Sequence, residues 1–174
     1  MSKPSRPSDP HKSKGQLRTF FVTTSTSGGR SLFQSDRMAM LLIDVLRSYT
    51  LAGRFKVHDF VVMRNHVHVL LTIDDELTIE KAMQLIKGNF SYRASKELEF
   101  AGEIWQRGFS DVRITDEKSF AAHQEYIYNN PVRAGLANTP EEYRYGSAYL
   151  KKIKCAGAKA QAGAASDGTT EVVP

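Results

Sequence analysis

The fold is decided by Val61-Val62-Met63-Arg64-Asn65-His66-Val67-His68-Val69-Leu70-Leu71-Thr72-Ile73, in which β-branched and apolar residues form a nearly continuous run. Such a run predicts β-strand. Successive side chains of a strand point to opposite faces, so His66 and His68 share one face and the alternating apolar residues take the other. Two neighbouring imidazoles are half of a metal site, and a third ligand has to come from elsewhere in the chain.

Working outward, the remaining elements predict an α+β domain with a ferredoxin-like split β-α-β sandwich. Its antiparallel sheet has helices on one face and an added C-terminal helix that carries catalytic candidates, and the strand with the two histidines lies centrally. Ser35 or Asp36 is predicted to cap the first helix. The second helix is predicted to start at Thr78 and to break or kink near Gly88. The third is predicted to be capped by Asp116 and ended by Pro131. The predicted strands are 17–26, 55–63, a third from Asn65-His66 to Ile73, and 104–114, and the last helix is 117–130.

The two ends of the chain differ in composition from this central part. Residues 1–16 predict a disordered basic leader, residues 17–150 the folded domain, and residues 151–174 a disordered tail rich in Ala, Gly and Lys. The formal net charge of +5 resides near the two ends, in residues 1–18 and 151–174, because residues 19–150 hold fifteen basic and sixteen acidic residues. The total charge therefore does not predict a globally basic binding face.

Composition also excludes several classes of protein. A chain of 174 residues can form one domain with a substantial core. The single Cys155 excludes a disulfide framework and a cysteine-based zinc site. No stretch predicts a membrane span or a secretory signal, so we expect a cytoplasmic protein without membrane contact.

The last helix offers groups that can complete the histidine pair. Tyr126 and Asn130 are four residues apart and lie on one helix face, whereas Tyr128 points about 160° away from Tyr126. A hard divalent cation held by the two imidazoles and the Asn130 side-chain oxygen would leave positions open for a phosphate oxygen. Tyr126 is then the candidate nucleophile, and His123, three residues earlier, the candidate general base.

Three basic residues are candidates for phosphate contact. Lys87 and Arg93 lie on the second helix, where basic residues otherwise form a solvated face, and Arg64 lies between the two strands of the predicted hairpin.

The combination of motifs resembles a known family. Together with Val61–Leu71, the segments Met83-Gln84-Leu85-Ile86-Lys87-Gly88 and Tyr126-Ile127-Tyr128-Asn129-Asn130-Pro131-Val132-Arg133-Ala134-Gly135-Leu136 resemble the single-tyrosine HUH transposases of the IS200/IS605 class, and among them the REP-associated tyrosine transposases. The resemblance spans about residues 17–150. Arg64 departs from it, because relatives typically carry proline at this point.

The resemblance implies both a substrate and a chemistry. The substrate is single-stranded DNA with a hairpin, which is cut and rejoined through a 5′-phosphotyrosine intermediate. Tyr126 matches the family's nucleophile, while His66, His68 and Asn130 match the ligands of Mg²⁺ or Mn²⁺. We expect the protein to be a monomer or a homodimer, and the sequence leaves both open.

Other functions remain as alternatives or are excluded. A histidine-triad hydrolase would need a third histidine where Leu70 stands, and a metal-dependent amidohydrolase barrel needs about 250 residues. The remaining alternative is a regulator that binds hairpin DNA or RNA without catalysis and derives from such a transposase.

Overall fold

Four strands and four α-helices follow one another in the described part of the chain, the first seven in the predicted order. The computed structural model describes residues 15–164, and side chains as far as residue 158. Among the described helices, none is long and apolar enough to cross a membrane. The strands are β1 (Arg18–Ser25), β2 (Lys56–Val62), β3 (His66–Ile73) and β4 (Ser110–Ile114), and the helices are α1 (Asp36–Leu51), α2 (Ile79–Glu97), α3 (Glu117–Arg133) and α4 (Ser147–Ala164).

The strands form one antiparallel sheet in the order β2-β3-β1-β4. The predicted α+β sheet is confirmed, and β3 lies inside it, as expected for the strand with the two histidines. The register pairs Thr23 of β1 with His68 and Ser25 with His66. A shift in the β2–β3 register between Val57 and Asp59 marks a bulge.

The helices cover the two faces of the sheet unequally. Helices α1 and α2 bury one face in a large apolar cluster that includes Val67, Val69 and Leu71 of β3. The opposite face packs against α3 through a smaller cluster, whose buried members are Val61, Met63, Leu70, Ile114 and Ile127. We call these the large cluster and the α3 cluster. The histidine pair lies on the α3 side, because His66, His68 and Leu70 alternate with the large-cluster residues.

Helix α3 does not stop at Pro131, contrary to the prediction. It continues to Arg133, with Pro131 buried in its last turn. Its end is a Schellman motif, in which the Leu136 N–H donates to the Pro131 carbonyl (2.8 Å) and the Gly135 N–H donates to the Val132 carbonyl (3.0 Å). Gly135 adopts a φ of +68°, which glycine tolerates without strain, so this residue sets the boundary.

The predicted tail boundary at residue 151 is also wrong. Residues 151–164 continue α4, which begins at Ser147 and lies beside the outer edge of β2. Gly146 bridges to Val61, and the Val62 N–H donates to the Tyr145 carbonyl (2.9 Å), so this edge of the sheet is covered. Residues 1–14 of the predicted leader and residues 165–174 of the predicted tail lie outside the described residues.

Two local predictions for α2 have different outcomes. The Thr78 hydroxyl accepts a hydrogen bond from the Lys81 N–H (3.2 Å), which confirms the cap. The expected break near Gly88 is wrong, since the helix runs uninterrupted from Ile79 to Glu97. One glycine in a helix packed through Ile86 and Phe90 lowers its stability without ending it.

Candidate active site

Two imidazoles lie side by side on β3 and face α3. The ring centres of His66 and His68 are 4.9 Å apart, with their planes at 75°. Nδ1 of His66 lies 2.8 Å from the Asn65 side-chain oxygen, and Nδ1 of His68 lies 2.8 Å from the Thr23 hydroxyl. Because an amide oxygen only accepts, Nδ1 of His66 carries the proton and Nε2 keeps its lone pair. The hydrogen bonds thus fix both rings.

Burial keeps both rings neutral. The pKa of His68 is lowered from 6.5 to about 4, first by burial and second by the neighbouring His66. Burial also lowers the pKa of His66. Neutral imidazoles are the form that binds metal ions, so the pair is ready to act as ligands near neutral pH.

One buried nitrogen supports this interpretation. Nε2 of His68 is buried and has no hydrogen-bond partner among the described residues. An unpaired buried polar atom is costly in a folded protein, and when Nδ1 donates to the Thr23 hydroxyl, Nε2 carries a lone pair that can bind a cation. The donor set therefore fits a divalent metal ion. Within the described part of the chain, no three His, Cys, Asp or Glu side chains are grouped as a metal site.

Helix α3 brings Tyr126 to the histidine pair. The Asp116 carboxylate accepts a hydrogen bond from the Ser119 N–H (2.7 Å), which confirms the predicted cap, and Ile127 anchors the helix in the α3 cluster. The ring centre of Tyr126 is 5.2 Å from that of His68, and the residue is 41% exposed. A phenol beside the paired imidazoles that remains open to solvent is accessible to a large substrate.

The ring of Phe21 supports three site residues at once. It stacks on His68 with centres 5.3 Å apart, lies 4.8 Å from His123, and meets Tyr126 edge-on at 5.8 Å. Phe21 follows Phe20 on β1 and faces α3, whereas Phe20 is part of the large cluster. Strand alternation could have identified this residue once the face of the histidine pair was known.

The His123 ring contacts Phe21 in the site, whereas the observed hydrogen bond of Asn130 is made by its backbone. His123 Nδ1 lies 2.7 Å from the Ser119 carbonyl, so this nitrogen donates and Nε2 is the basic one in the neutral ring. Asn130 is half-buried one helical turn after Tyr126, and its carbonyl accepts the hydrogen bond of the Ala134 N–H. Its role as a third ligand, like that of His123 as a base, stays a prediction.

The three basic candidates lie in different surroundings. Arg64 is exposed at the turn between β2 and β3. Lys87 donates to the carbonyls of Gln106 (2.8 Å) and Gly108 (3.0 Å), and Arg93 pairs with Asp44 and Glu97. Lys87 and Arg93 therefore tie α2 to its neighbours on the face of the sheet opposite Tyr126, and their contact with DNA stays a prediction.

Arg133 is a site residue that the sequence argument did not select. Its guanidinium carbon lies 5.9 Å from the ring centre of Tyr126. The two residues are seven positions apart, which is close to two full helical turns, so they share one face of α3. That spacing was the available signal, and it was missed because the helix was expected to end at Pro131.

Comparison with known proteins points in one direction. The sequence profile described as "Transposase IS200 like" matches residues 19–130. A REP-associated tyrosine transposase of Escherichia coli is 26% identical over 135 residues, spanning 74% of this chain and 75% of the relative. A Haemophilus influenzae protein, provisionally described as a transposase of the same kind, is 28% identical over 142 residues, spanning 70% of this chain and 81% of the relative.

A solved structure shares the fold. It is that of a REP-associated tyrosine transposase bound to a REP hairpin, and it matches with a TM-score of 0.69 and 22% sequence identity. The match covers 86% of this chain and 84% of the other. At this level of identity the likeness concerns the fold, so the roles of individual residues have to be argued from the site itself.

Proposed function

Because this chain belongs to the IS200-like transposase family, we propose that it cuts and rejoins single-stranded DNA beside a hairpin, with Tyr126 as the nucleophile. The observation that carries the proposal is the exposed phenol of Tyr126, whose ring centre lies 5.2 Å from the ring centre of His68. The described REP-hairpin complex of a structural neighbour supports hairpin DNA as the substrate class.

The chemistry we propose is an exchange of phosphodiester bonds. The Tyr126 oxygen attacks phosphorus, a tyrosine–phosphate bond forms, and the bond from phosphorus to the 3′ oxygen breaks. The phenol proton passes to Nε2 of His123 or to solvent, and the departing 3′ oxygen takes up a proton. Attack by another 3′ hydroxyl on the phosphotyrosine restores Tyr126 and joins the strands, so no nucleoside triphosphate is needed.

The histidine pair has a separate part in this proposal. His66, His68 and Asn130 would hold Mg²⁺ or Mn²⁺, and a bound ion would supply Lewis-acid polarisation of the phosphodiester. The Thr23 and Asn65 hydrogen bonds keep the two imidazoles oriented, and burial keeps them neutral. Phe21 contacts the rings of His68, His123 and Tyr126 and so helps to fix their spacing.

Covalent capture tests the nucleophile. A labelled DNA hairpin with single-stranded flanks, taken from repeats beside the gene, is incubated with the protein and Mg²⁺ or Mn²⁺. We expect an adduct that survives SDS, maps to Tyr126 by mass spectrometry and is lost in Tyr126→Phe. Tyr92→Phe is the matched control, because Tyr92 is 65% exposed on α2, across the sheet.

Two results would count against this assignment. An adduct that persists in Tyr126→Phe would show that another residue is the nucleophile. Tight binding of the hairpin without any adduct, with either metal, would favour the non-catalytic hairpin-binding regulator.

A further inference from the structure

A buried carboxylate lies on the side of α3 away from Tyr126. The Asp59 side chain, on β2 beside the bulge, is 1% exposed. The register shift turns both His58 and Asp59 toward the α3 side, since His58 contacts Phe120 and Asp59 contacts α3 itself. A carboxylate removed from water persists only with several hydrogen-bond donors around it.

Four side chains from two helices donate to this carboxylate. Gln124 donates to Oδ2 at 2.7 Å, and Oδ1 accepts from Tyr128 (2.7 Å), Ser147 (2.9 Å) and Lys151 (2.7 Å). Burial raises the pKa of Asp59, but these hydrogen bonds outweigh burial and leave the pKa lowered. We call Asp59 and its four donors the Asp59 clamp.

The clamp binds α3 at one position before Tyr126 in the sequence and at one position after it. Gln124 and Tyr128 are four residues apart on one face of α3, and Tyr126 lies midway between them on the other side. Lys151 also donates to the Tyr128 hydroxyl (2.7 Å), so α4 closes the arrangement. With Ile127 in the α3 cluster, the hydrogen bonds define how far α3 is rotated about its axis.

We propose that the Asp59 clamp is a positioning device for catalysis: by fixing the rotation of α3, it holds the Tyr126 hydroxyl in line with the scissile phosphate. This inference rests on the proposed function of Tyr126. The hydroxyl lies roughly 6 Å or more from the helix axis, so a rotation of about 10° moves it by about 1 Å. A displacement of about 1 Å in a reacting group lowers the rate by up to about 100-fold.

The test separates reaction rate from folded fraction. Tyr128→Phe and Lys151→Met each remove one donor while leaving Asp59 partnered, whereas Asp59→Ala would leave four donors unpaired and risks misfolding. Single-turnover cleavage of the hairpin is measured at saturating protein for both variants. We expect the rate constant to fall at least tenfold, while the fraction of cleavable substrate and the Kd for the hairpin change less than twofold.

A destabilised control makes the comparison quantitative. Ile86→Val trims a buried side chain of the large cluster, across the sheet from α3. It should lower the melting temperature without changing the rate constant. Because Tyr128 and Lys151 share the same carboxylate oxygen, the double variant should lose less than the product of the two single losses.

Two outcomes would overturn the inference, one from kinetics and one from a structural measurement that does not depend on activity. Rate constants that match wild type, with only the reactive fraction reduced as in Ile86→Val, would make the clamp merely structural. The second readout is the nuclear Overhauser contact between the rings of Tyr126 and His68, which should weaken in both clamp variants. Retention of that contact would also overturn the inference, whereas failure of wild type to form an adduct would refute the proposed function separately.

Discussion

Replacing Arg133 tests whether a cation beside the nucleophile assists the reaction. Its guanidinium lies 5.9 Å from the ring centre of Tyr126, and negative charge on the phenolic oxygen has to be stabilised during attack. Arg133→Gln removes the charge and retains a polar side chain. Arg133→Lys retains the charge and loses the planar group that faces the ring.

The expected loss can be worked from the distance. If the developing charge is placed at the ring centre, two unit charges about 6 Å apart interact by about 3 kcal/mol at an effective dielectric constant of 20, and by roughly 0.7 kcal/mol in bulk water. Tyr126 is 41% exposed, which places the site between these limits. We therefore expect Arg133→Gln to raise the activation free energy of cleavage by about 1.5 kcal/mol, which slows the step roughly tenfold. Arg133→Lys keeps the charge and should slow cleavage less.

Single-turnover cleavage of the hairpin at saturating protein is the assay, repeated at several salt concentrations. The loss in Arg133→Gln should shrink as salt rises, since ions screen an exposed charge. Arg144→Gln is the matched control, because Arg144 also faces a tyrosine ring, that of Tyr145 at 5.5 Å, and pairs with Asp36. A cleavage rate in Arg133→Gln within twofold of both wild type and Arg144→Gln would refute the reasoning.

Two further predictions concern the histidine pair. Thr23→Val should weaken Mn²⁺ binding about tenfold, measured by calorimetry, because the threonine orients His68. Thr19→Val is the control, since it removes a hydrogen bond to Thr72 from the same strand. Equal losses of Mn²⁺ affinity in the two variants would contradict this role of Thr23. In the presence of a chelator, the free energy of unfolding should fall by up to about 3 kcal/mol between pH 6.5 and about 4, since the unfolded chain protonates His68 before the folded protein does. Urea titrations should show a shallower pH dependence for His68→Gln, and an unchanged one would assign the effect to other groups.

Local patterns were enough to predict the sheet and the histidine pair. Alternation along His66–Ile73 placed the imidazoles on one face and the valines on the other, and the large cluster confirms that division. The caps of α2 and α3 were also predicted, because Thr78 and Asp116 act on residues three positions later. These features depend on neighbours within a few residues.

The missed features depend on contacts between distant segments. Asp59 appears in the sequence as a polar interruption of a strand, and its meaning emerges only when Lys151, ninety-two residues later, reaches it. The tail was expected to lack structure because its apolar content is low, yet Ser147 and Lys151 anchor its beginning through hydrogen bonds. Pro131 misled for a different reason: it is accommodated, buried, in the last turn of α3, and the hydrogen bonds of Gly135 and Leu136 set the end of the helix.

The unequal apolar clusters on the two faces of the sheet imply that the protein loses its cleavage activity at a lower temperature than that at which the whole domain unfolds. Helix α3 is held by the small α3 cluster and the Asp59 clamp, whereas the sheet and α1–α2 share the large cluster. Segments with little buried apolar surface open at a lower free energy than the whole domain. On warming, α3 would detach first and take Tyr126 away from the histidines, leaving a folded but inert protein that regains its activity when the helix docks again.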